Sequence, residues 1–255
     1  MLVNAIVLAG AANQGPLREV DPAPNEALIP IAGRPMVQYV IDGLRASGRV
    51  GRILIVAPPG QLEPYLQGED LEFVPSRGDI VDNVLAALAR LPQDQMVMIA
   101  SSDIPLITGE IVRGVLDLCA QREADVYYPV VERSVADRCY PGVKRTYVRL
   151  REGSFTGGNI FVFNPRIADR VAPKVRSFLQ HRKNPVRMAG LLGWTFVVRL
   201  FLRSLSLRGL EEHVSRLWGI RGAVIICPYP EVGIDVDKPS DLQLARAALG
   251  RALTG

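Results

Sequence analysis

The chain has 255 residues, of which 48% are hydrophobic and 22% charged, enough for one soluble α/β domain with a sizeable core. Its three cysteines lack metal-ligand spacing, its two histidines belong to no zinc motif, and residues 1–10 lack the basic start of a secretory signal. We therefore expect a cytoplasmic protein with reduced thiols, and the composition argues against a secreted, disulfide-bonded protein or a zinc protein.

Strand-like and helix-like runs alternate along the first half of the chain. Apolar runs predict strands over residues 3–9, 52–57, 71–74 and 96–100. Apolar stripes at helical spacing predict helices over residues 35–47 and 79–91, the second capped by Asp79, and a third helix that Thr108 opens. This alternation favours an α/β fold with a mostly parallel sheet covered by helices.

The rhythm changes after Asp125. A strand is predicted over residues 126–131, and a charged stretch broken by Pro141 and Gly142 predicts a flap or hairpin over residues 132–158. The stretch SFTGGNIFVFNP returns to a strand, and residues 165–221 form a predicted helical insertion. A strand over residues 223–227 and a helix over residues 240–249 close what we take as a single domain, residues 1–255.

Charge is unevenly distributed. Residues 170–210 hold nine Lys or Arg and no Asp or Glu, so the rest of the chain is net acidic. Such a segment suits phosphates, anionic lipid or an acidic partner, or is simply a solvated helix face. Within it, residues 188–207 predict one helix with a wide apolar face. Arg199 and Arg203 fall on the narrow polar stripe of this predicted helix. Burial against the body, a homodimer contact and a membrane-surface contact all stay open for this helix.

Several unusual stretches follow predicted strands. In an open α/β sheet, ligands bind beyond the carboxyl ends of the strands. Gly10 follows the first strand, Arg77 and Gly78 follow the third, and Ser102 and Asp103 follow the fourth. We expect these residues to face one cleft.

Carboxylates at this edge suggest a magnesium site. Asp103 directly follows a buried strand, where an unpaired carboxylate is costly unless it faces solvent or a cation. Asp235 and Asp237 alternate, so on extended backbone they share one face. Mg²⁺ takes hard oxygen ligands and completes six with water and phosphate oxygens. Asp103 together with the Asp235 and Asp237 pair therefore offers carboxylates from two distant segments, which suits a magnesium ion.

Four motifs carry a family resemblance: VLAG, ALIPIAGRPM, SSDIPL and DVDKPSDL, in this order. They resemble the nucleotidyltransferases related to molybdenum cofactor guanylyltransferase (MobA-like) and to the sugar-phosphate and methylerythritol-phosphate nucleotidyltransferases. The resemblance implies a three-layer, Rossmann-like nucleotide-diphospho-sugar transferase fold. It also implies a Mg²⁺-dependent reaction that joins an NTP to a phosphorylated small-molecule acceptor and releases pyrophosphate.

The resemblance also implies roles for individual residues. The expected nucleotide-binding residues are Leu8, Ala9, Gly10, Ala11, Arg77, Gly78, Asn83 and Ser102. Asp103, Arg18 and Asp237 are the expected catalytic residues. The resemblance also implies that Asp103 and Asp237 hold the Mg²⁺, with Asp235 in reserve. The expected acceptor contacts are Thr156, Gly158 and Asn159, to which the basic hairpin adds Arg145. Gly157 and Gly158 equally suit a simple bulge, and the hairpin arginines equally suit a solvated face.

Two departures from the family pattern affect the nucleotide loop. Gly10-Ala11 stands where the family has Gly-Gly, and a methyl group is tolerated there if φ stays negative. Glu26 stands where the family has a lysine, and a carboxylate facing a triphosphate is repulsive. Glu26 could point away, Arg18 or Arg34 could replace the lysine, or Glu26 could bind a metal.

These departures leave two further functional alternatives, a non-catalytic nucleotide-binding protein and a glycosyltransferase of similar fold. A glycosyltransferase would carry an acid pair in the mid-chain metal motif, where Ser101 and Ser102 precede Asp103 instead. No nucleic-acid-binding motif is recognised.

Overall fold

Nine strands form one central sheet in a computed structural model that describes residues 1–66, 68, 70–181 and 184–252. The long strands are rich in Val and Ile, which suits strands buried on both faces. The strands of this sheet and of a small two-stranded ribbon (β2 and β3) are β1 (Val3–Leu8), β2 (Pro30–Ile31), β3 (Arg34–Pro35), β4 (Val50–Ala57), β5 (Leu71–Pro75), β6 (Val97–Ser101), β7 (Val126–Glu132), β8 (Val148–Arg149), β9 (Ser154–Gly157), β10 (Ile160–Phe163) and β11 (Gly222–Ile226).

The sheet is mostly parallel. Its strands run in the order β5-β4-β1-β6-β10-β7-β9-β8, and β11 pairs with β7. Strand β10 is antiparallel to both β6 and β7, whereas β5, β4, β1 and β6 are mutually parallel, and so are β7 and β11. The predicted fold class, an α/β fold with a mostly parallel sheet, is therefore confirmed.

Helices cover both faces of the sheet. In the described residues they are α1 (Met36–Ala46), α2 (Ile80–Leu88), α3 (Gly109–Ala120), α4 (Arg133–Cys139), α5 (Ala168–His181), α6 (Pro185–Leu192), α7 (Trp194–Phe201), α8 (Leu207–Trp218) and α9 (Pro239–Ala252). The predicted caps are present, because the Asp79 carboxylate accepts from Val81 N and Asp82 N and the Thr108 hydroxyl accepts from Ile111 N.

Alternation along β1 divides the core into two layers. Ala5 and Val7 pack in a cluster that contains residues of α1 and α3, whereas Ile6 packs in a cluster that contains residues of α2. The result is three layers, helix on sheet on helix, with the loops beyond the carboxyl ends of β1, β5 and β6 free to build a site.

The predicted flap over residues 132–158 is only partly right. Its first part is α4, and only its last part is a hairpin, in which Val148 pairs with Phe155. Helix α4 buries none of its residues, so no apolar stripe marks it in the sequence. The single-domain boundaries and the extent of the insertion stay predictions.

The single helix predicted over residues 188–207 is wrong. Helix α6 ends before Gly193, whose φ of 87° breaks the helix, and α7 ends before Leu202. Arg203 has a φ of 55°, and Leu205 is buried outside any helix. The predicted basic segment also includes Arg182 and Lys183, which lie outside the described residues. No helix among the described residues is long and apolar enough to cross a membrane.

Candidate active site at the carboxyl edge of the sheet

The loops after β1, β5 and β6 adjoin at one edge of the sheet. A Cβ built on Gly10 would lie 3.7 Å from the Cβ of Ser76, in the loop after β5. The backbone N–H of Ser102, after β6, donates to the carbonyl of Leu8 at the end of β1. The predicted nucleotide-binding residues after these strands therefore share one cleft, as in other open α/β sheets.

Ala11 fits the nucleotide loop without strain. Among described non-glycine residues, only Ala32 and Arg203 have a positive φ, so the backbone at Ala11 does not require glycine. The loop is fixed from below by Asn25, a fully buried residue that the sequence analysis missed. Its Nδ2 donates to Ala9 O at 2.9 Å, and its Oδ1 accepts from Ala27 N at 2.9 Å. An asparagine before a short helical turn was the available signal.

The loop after β5 is shaped by two of the predicted residues. Gly78 has a φ of 62°, and a Cβ there would meet the Asp82 carboxylate at 2.5 Å, so only glycine fits. The Asn83 Oδ1 accepts from Arg77 N at 2.5 Å, while the Arg77 residue itself is exposed. Gly78 and Asn83 thus hold the loop, and Arg77 is the side chain that this loop presents to solvent.

Asp103 is held at the end of β6. The Ser101 hydroxyl donates to its carboxylate, and Val236 N donates to its backbone carbonyl at 2.9 Å, which ties the segment of Asp235 and Asp237 to β6. Burial raises the pKa of Asp103 to about 6, and the charges of Asp235 and Glu26 add to the rise. Sequence analysis missed the positioning role of Ser101.

Four carboxylates at this edge of the sheet lie close enough for their charges to interact. Asp237 hydrogen-bonds to Asp235, as their alternation predicts, and burial together with the charges of Asp235 and Asp103 raises the pKa of Asp237. Burial and the charge of Asp237 raise the pKa of Glu26. Arg145 Nη1 lies 2.7 Å from Asp235 Oδ1, and this ion pair offsets the charge of Asp235. The remaining mutual repulsion is what a bound cation would relieve.

The residues fit a magnesium ion held by two carboxylates. Among the residues that the structure describes, no group of three or more His, Cys, Asp or Glu side chains forms a metal cluster. Mg²⁺ commonly takes one or two carboxylates and completes its shell with water and substrate phosphates. Asp103 and Asp237 have the required chemistry, and their pKa values are raised first by burial and then by the neighbouring carboxylates.

The predicted replacements for the family lysine are engaged elsewhere. The Arg18 guanidinium donates to the carbonyls of Pro22 and Ala23, the latter at 3.2 Å. Arg34 is paired with Asp42 at 2.5 Å. The Glu26 carboxylate lies close enough to these aspartates for the charge of Asp237 to raise its pKa and for its own charge to raise the pKa of Asp103.

The predicted acceptor residues divide into two groups. Arg145 and Thr156 line a cavity of about 10 Å³, room for about one water. Gly158 instead permits close packing, because a Cβ there would lie 3.1 Å from Pro129 O and 3.3 Å from Val232. The Asn159 backbone pairs with Val232 and Ser101 across the strand irregularity between β9 and β10. Close packing and backbone pairing therefore explain the presence of Gly158 and Asn159 without a contact to an acceptor.

The larger grooves are not lined by Asp103 or Asp237. One, of about 420 Å³, lies between α2 and α5 and is lined by residues such as Leu85 and Arg176. Arg176 there pairs with Asp79 and Asp82. Convergent chemistry, rather than cavity size, therefore defines the candidate site.

Comparison with known proteins agrees with this geometry. Residues 5–189 match the model of the MobA-like NTP transferase domain, which confirms the resemblance read from the four motifs. A hypothetical transferase from Thermus thermophilus is 36% identical, with a TM-score of 0.83 over 95% of this chain and 100% of that one. A 4-diphosphocytidyl-2C-methyl-D-erythritol synthase from Anaerococcus prevotii is 15% identical, with a TM-score of 0.60 over 98% of this chain and 96% of that one, and shows the fold alone.

Curated relatives match over shorter segments. A 2-C-methyl-D-erythritol 4-phosphate cytidylyltransferase from Nocardia farcinica is 32% identical over 93 residues, 35% of this chain and 40% of that protein. The protein of the same name from Klebsiella pneumoniae is 25% identical over 116 residues, 44% of this chain and 49% of that protein. The chain thus spans less than half the length of these relatives.

Proposed function

The chain belongs to the MobA-like NTP transferase domain family, and on that premise we propose that it transfers a nucleotidyl group from an NTP to a phosphorylated small molecule. An oxygen of the acceptor phosphate attacks the α-phosphorus of the NTP and forms a new P–O bond. The bond from the α-phosphorus to the bridging oxygen breaks, and pyrophosphate leaves.

One observation carries this proposal. Asp103 and Asp237 come from segments 134 positions apart in sequence, yet Val236 N donates to Asp103 O at 2.9 Å and brings the two residues together next to the end of β1. Phosphoryl transfer requires positioning and charge neutralisation far more than covalent chemistry from the protein. Backbone N–H groups of the loop after β1, together with a cation held by the two carboxylates, would provide both.

The chain's own residues then have separate tasks. Backbone N–H groups around Gly10 and Ala11 would hold phosphate oxygens, and the exposed Arg77 would approach them from the loop after β5. Arg145, which lies beside Thr156 and pairs with Asp235, would orient the acceptor phosphate. Asn25 and Ser101 would keep the nucleotide loop and Asp103 in place without touching substrate.

A magnesium ion, when bound by Asp103 and Asp237, would supply charge neutralisation for the phosphates. Without it, the cleft would set Glu26, Asp103, Asp235 and Asp237 against a triphosphate with one nearby paired arginine. This electrostatic argument is what supports magnesium dependence.

Pyrophosphate release tests the proposal. ATP, CTP, GTP and UTP would each be incubated with Mg²⁺ and a pool of sugar phosphates and phosphorylated alcohols, with NTP binding followed by thermal shift. CTP comes first, because two similar proteins are named as cytidylyltransferases. We expect release with one NTP that requires both Mg²⁺ and an acceptor.

Glu26 favours one alternative, a nucleotide-binding protein without catalysis, because it places a carboxylate where the family has a cation. Binding of an NTP without pyrophosphate release from any acceptor in the pool would support this alternative. Absence of NTP binding would contradict both.

A further inference from the structure

An apolar patch lies on the outer face of α7. We define it as Trp194, Val198, Phe201 and Leu202, which follow one another at helical spacing. Trp194 is 63% exposed and Phe201 is 85% exposed. Single exposed apolar residues are ordinary, but a contiguous row with two aromatic rings marks an interaction surface.

The body of the protein fixes the direction of this patch. On the opposite side of α7, Phe196 is buried and its ring stacks on His213 at 4.4 Å between centroids. Leu205, after the helix, is also buried, in the same cluster as Phe155 of β9. Because α7 is anchored by its inner face, its outer apolar side chains are held toward solvent.

The stretch of sequence that carries the patch is basic. Residues 170–210 contain nine Lys or Arg and no acidic residue. Arg199 and Arg203, within and just after α7, are exposed and form no ion pair in the part of the chain that the structure describes. Helices that lie in a membrane interface combine these two features, aromatic and aliphatic residues on one face and Arg or Lys beside them.

The basic residues beside the patch favour an anionic lipid surface over a second copy of the chain as its partner. A second copy of the chain docked patch to patch would bring two basic, acid-free segments together, and like charges at an interface are unfavourable. An anionic lipid surface would attract the same arginines. We propose that the apolar patch inserts into the interface of an anionic lipid bilayer, with Arg199 and Arg203 at the level of the headgroups.

This surface is independent of the proposed active site. Neighbouring residues of β9 point to opposite faces of the sheet, Phe155 toward the α7 cluster and Thr156 toward the cavity of Arg145. Lipid binding can therefore succeed or fail whatever the outcome of the nucleotidyl transfer assay. Substitutions in the patch should leave that activity unchanged.

Vesicle cosedimentation tests the proposal. The full chain would be mixed with vesicles of phosphatidylcholine alone and with vesicles that contain about 30 mol % phosphatidylglycerol. We expect binding to the anionic vesicles that weakens at high salt, and a loss of about tenfold or more in affinity for the double variant Trp194→Ser/Phe201→Ser. The matched control, Leu2→Ser/Tyr65→Ser, changes residues that are 64% and 61% exposed and should bind like the parent.

Fluorescence separates insertion from charge attraction alone. The chain has two tryptophans, so Trp218→Phe leaves Trp194 as the reporter. We expect a blue shift of its emission on addition of the anionic vesicles and no shift with phosphatidylcholine alone.

Three results would overturn the proposal: no binding to anionic vesicles, equal binding by the double variant, or no blue shift of Trp194. Light scattering would identify the alternative partner, since a dimer that Trp194→Ser/Phe201→Ser dissociates would mean that a second copy covers the patch. Unchanged circular dichroism of the variants would show that they fold.

Discussion

At the scale of single residues, Asp103 is both buried and surrounded by negatively charged side chains. Its carboxylate accepts hydrogen bonds from the Ser101 hydroxyl and from its own backbone N–H, while burial and the charges of Asp235 and Glu26 disfavour its ionised form. The side chain that suits a cation is therefore one that destabilises the metal-free fold. Such conflicts between stability and chemistry are common at functional sites.

Removing this charge should stabilise the metal-free protein. The folded pKa of Asp103 is raised from 3.8 to about 6, so the folded state binds more protons than the unfolded state between these values. The free energy of unfolding therefore falls as pH rises through this window. We expect Asp103→Asn, measured in EDTA, to raise the free energy of unfolding by up to about 3 kcal/mol at pH 7.5 and by nothing near pH 4.

Urea denaturation at both pH values measures this difference. Asp94→Asn, at an exposed position, is the matched control and should show no such pH dependence. Equal stabilities of Asp103→Asn and the parent at pH 7.5 would contradict the electrostatic account of Asp103.

Glu26 should weaken NTP binding. It lies close enough to Asp237 and Asp103 to act on their charges, and the arginines at positions 18 and 34 are bound elsewhere. We expect Glu26→Lys to lower the KM for the NTP by about tenfold, equivalent to about 1.4 kcal/mol, because attraction replaces repulsion.

The charge-matched control for this prediction is Glu123→Lys, before β7 and thus at the other end of the sheet, which should leave KM unchanged. A higher KM in Glu26→Lys would show that Glu26 instead contributes to cation binding.

Sequence patterns predict some of the residues of the candidate site and miss others. Asp103 and Asp237 were predicted, because a carboxylate beside an apolar strand and a DVD motif stand out in one dimension. Asn25 and Ser101 were missed, because their roles lie in hydrogen bonds to Ala9, Ala27 and Asp103 that only the folded chain creates.

At the scale of elements, α1 packs closely against the segment after Asp103. A Cβ on Gly43 of α1 would lie 2.7 Å from the carbonyl oxygen of Ile107. Backbone cannot move aside as a side chain can, so this glycine sets the distance between α1 and the Asp103 loop.

Gly43→Ala should therefore destabilise the protein by about 1–3 kcal/mol through overpacking, although alanine is the better helix former. Gly190→Ala in α6, where an added Cβ meets nothing within 4 Å, is the control and should gain up to about 1 kcal/mol. Thermal unfolding of both variants measures the pair. A Gly43→Ala protein as stable as Gly190→Ala would contradict the close packing.

Elements with a buried apolar pattern were predictable, and those without one were not. Strands β1, β4 and β6 each contain an uninterrupted apolar run of four residues or more, which the sequence displays directly. Helix α4 buries nothing, and the break at Gly193 lies inside a strongly apolar stretch, so neither leaves a periodic signal.

At the scale of the whole molecule, two surfaces of opposite charge serve different proposed tasks. The acidic cleft contains Glu26, Asp103, Asp235 and Asp237, while the apolar patch of α7 belongs to the basic segment and lies beside Arg199 and Arg203. Composition reveals the charge asymmetry, but only the folded sheet shows that neighbouring β9 residues face different sites, Phe155 the α7 cluster and Thr156 the cavity of Arg145.

Turnover of Asp103→Ala tests the central claim, that nucleotidyl transfer occurs at the cleft of Asp103 and Asp237. Pyrophosphate release would be measured for the parent, Asp103→Ala and the control Asp94→Ala, with Mg²⁺ and the NTP found active. We expect Asp103→Ala to lose at least about a hundredfold in kcat/KM and Asp94→Ala to retain parental activity. Turnover of Asp103→Ala within about tenfold of the parent, a barrier change of about 1.4 kcal/mol or less, would contradict the assignment of the site.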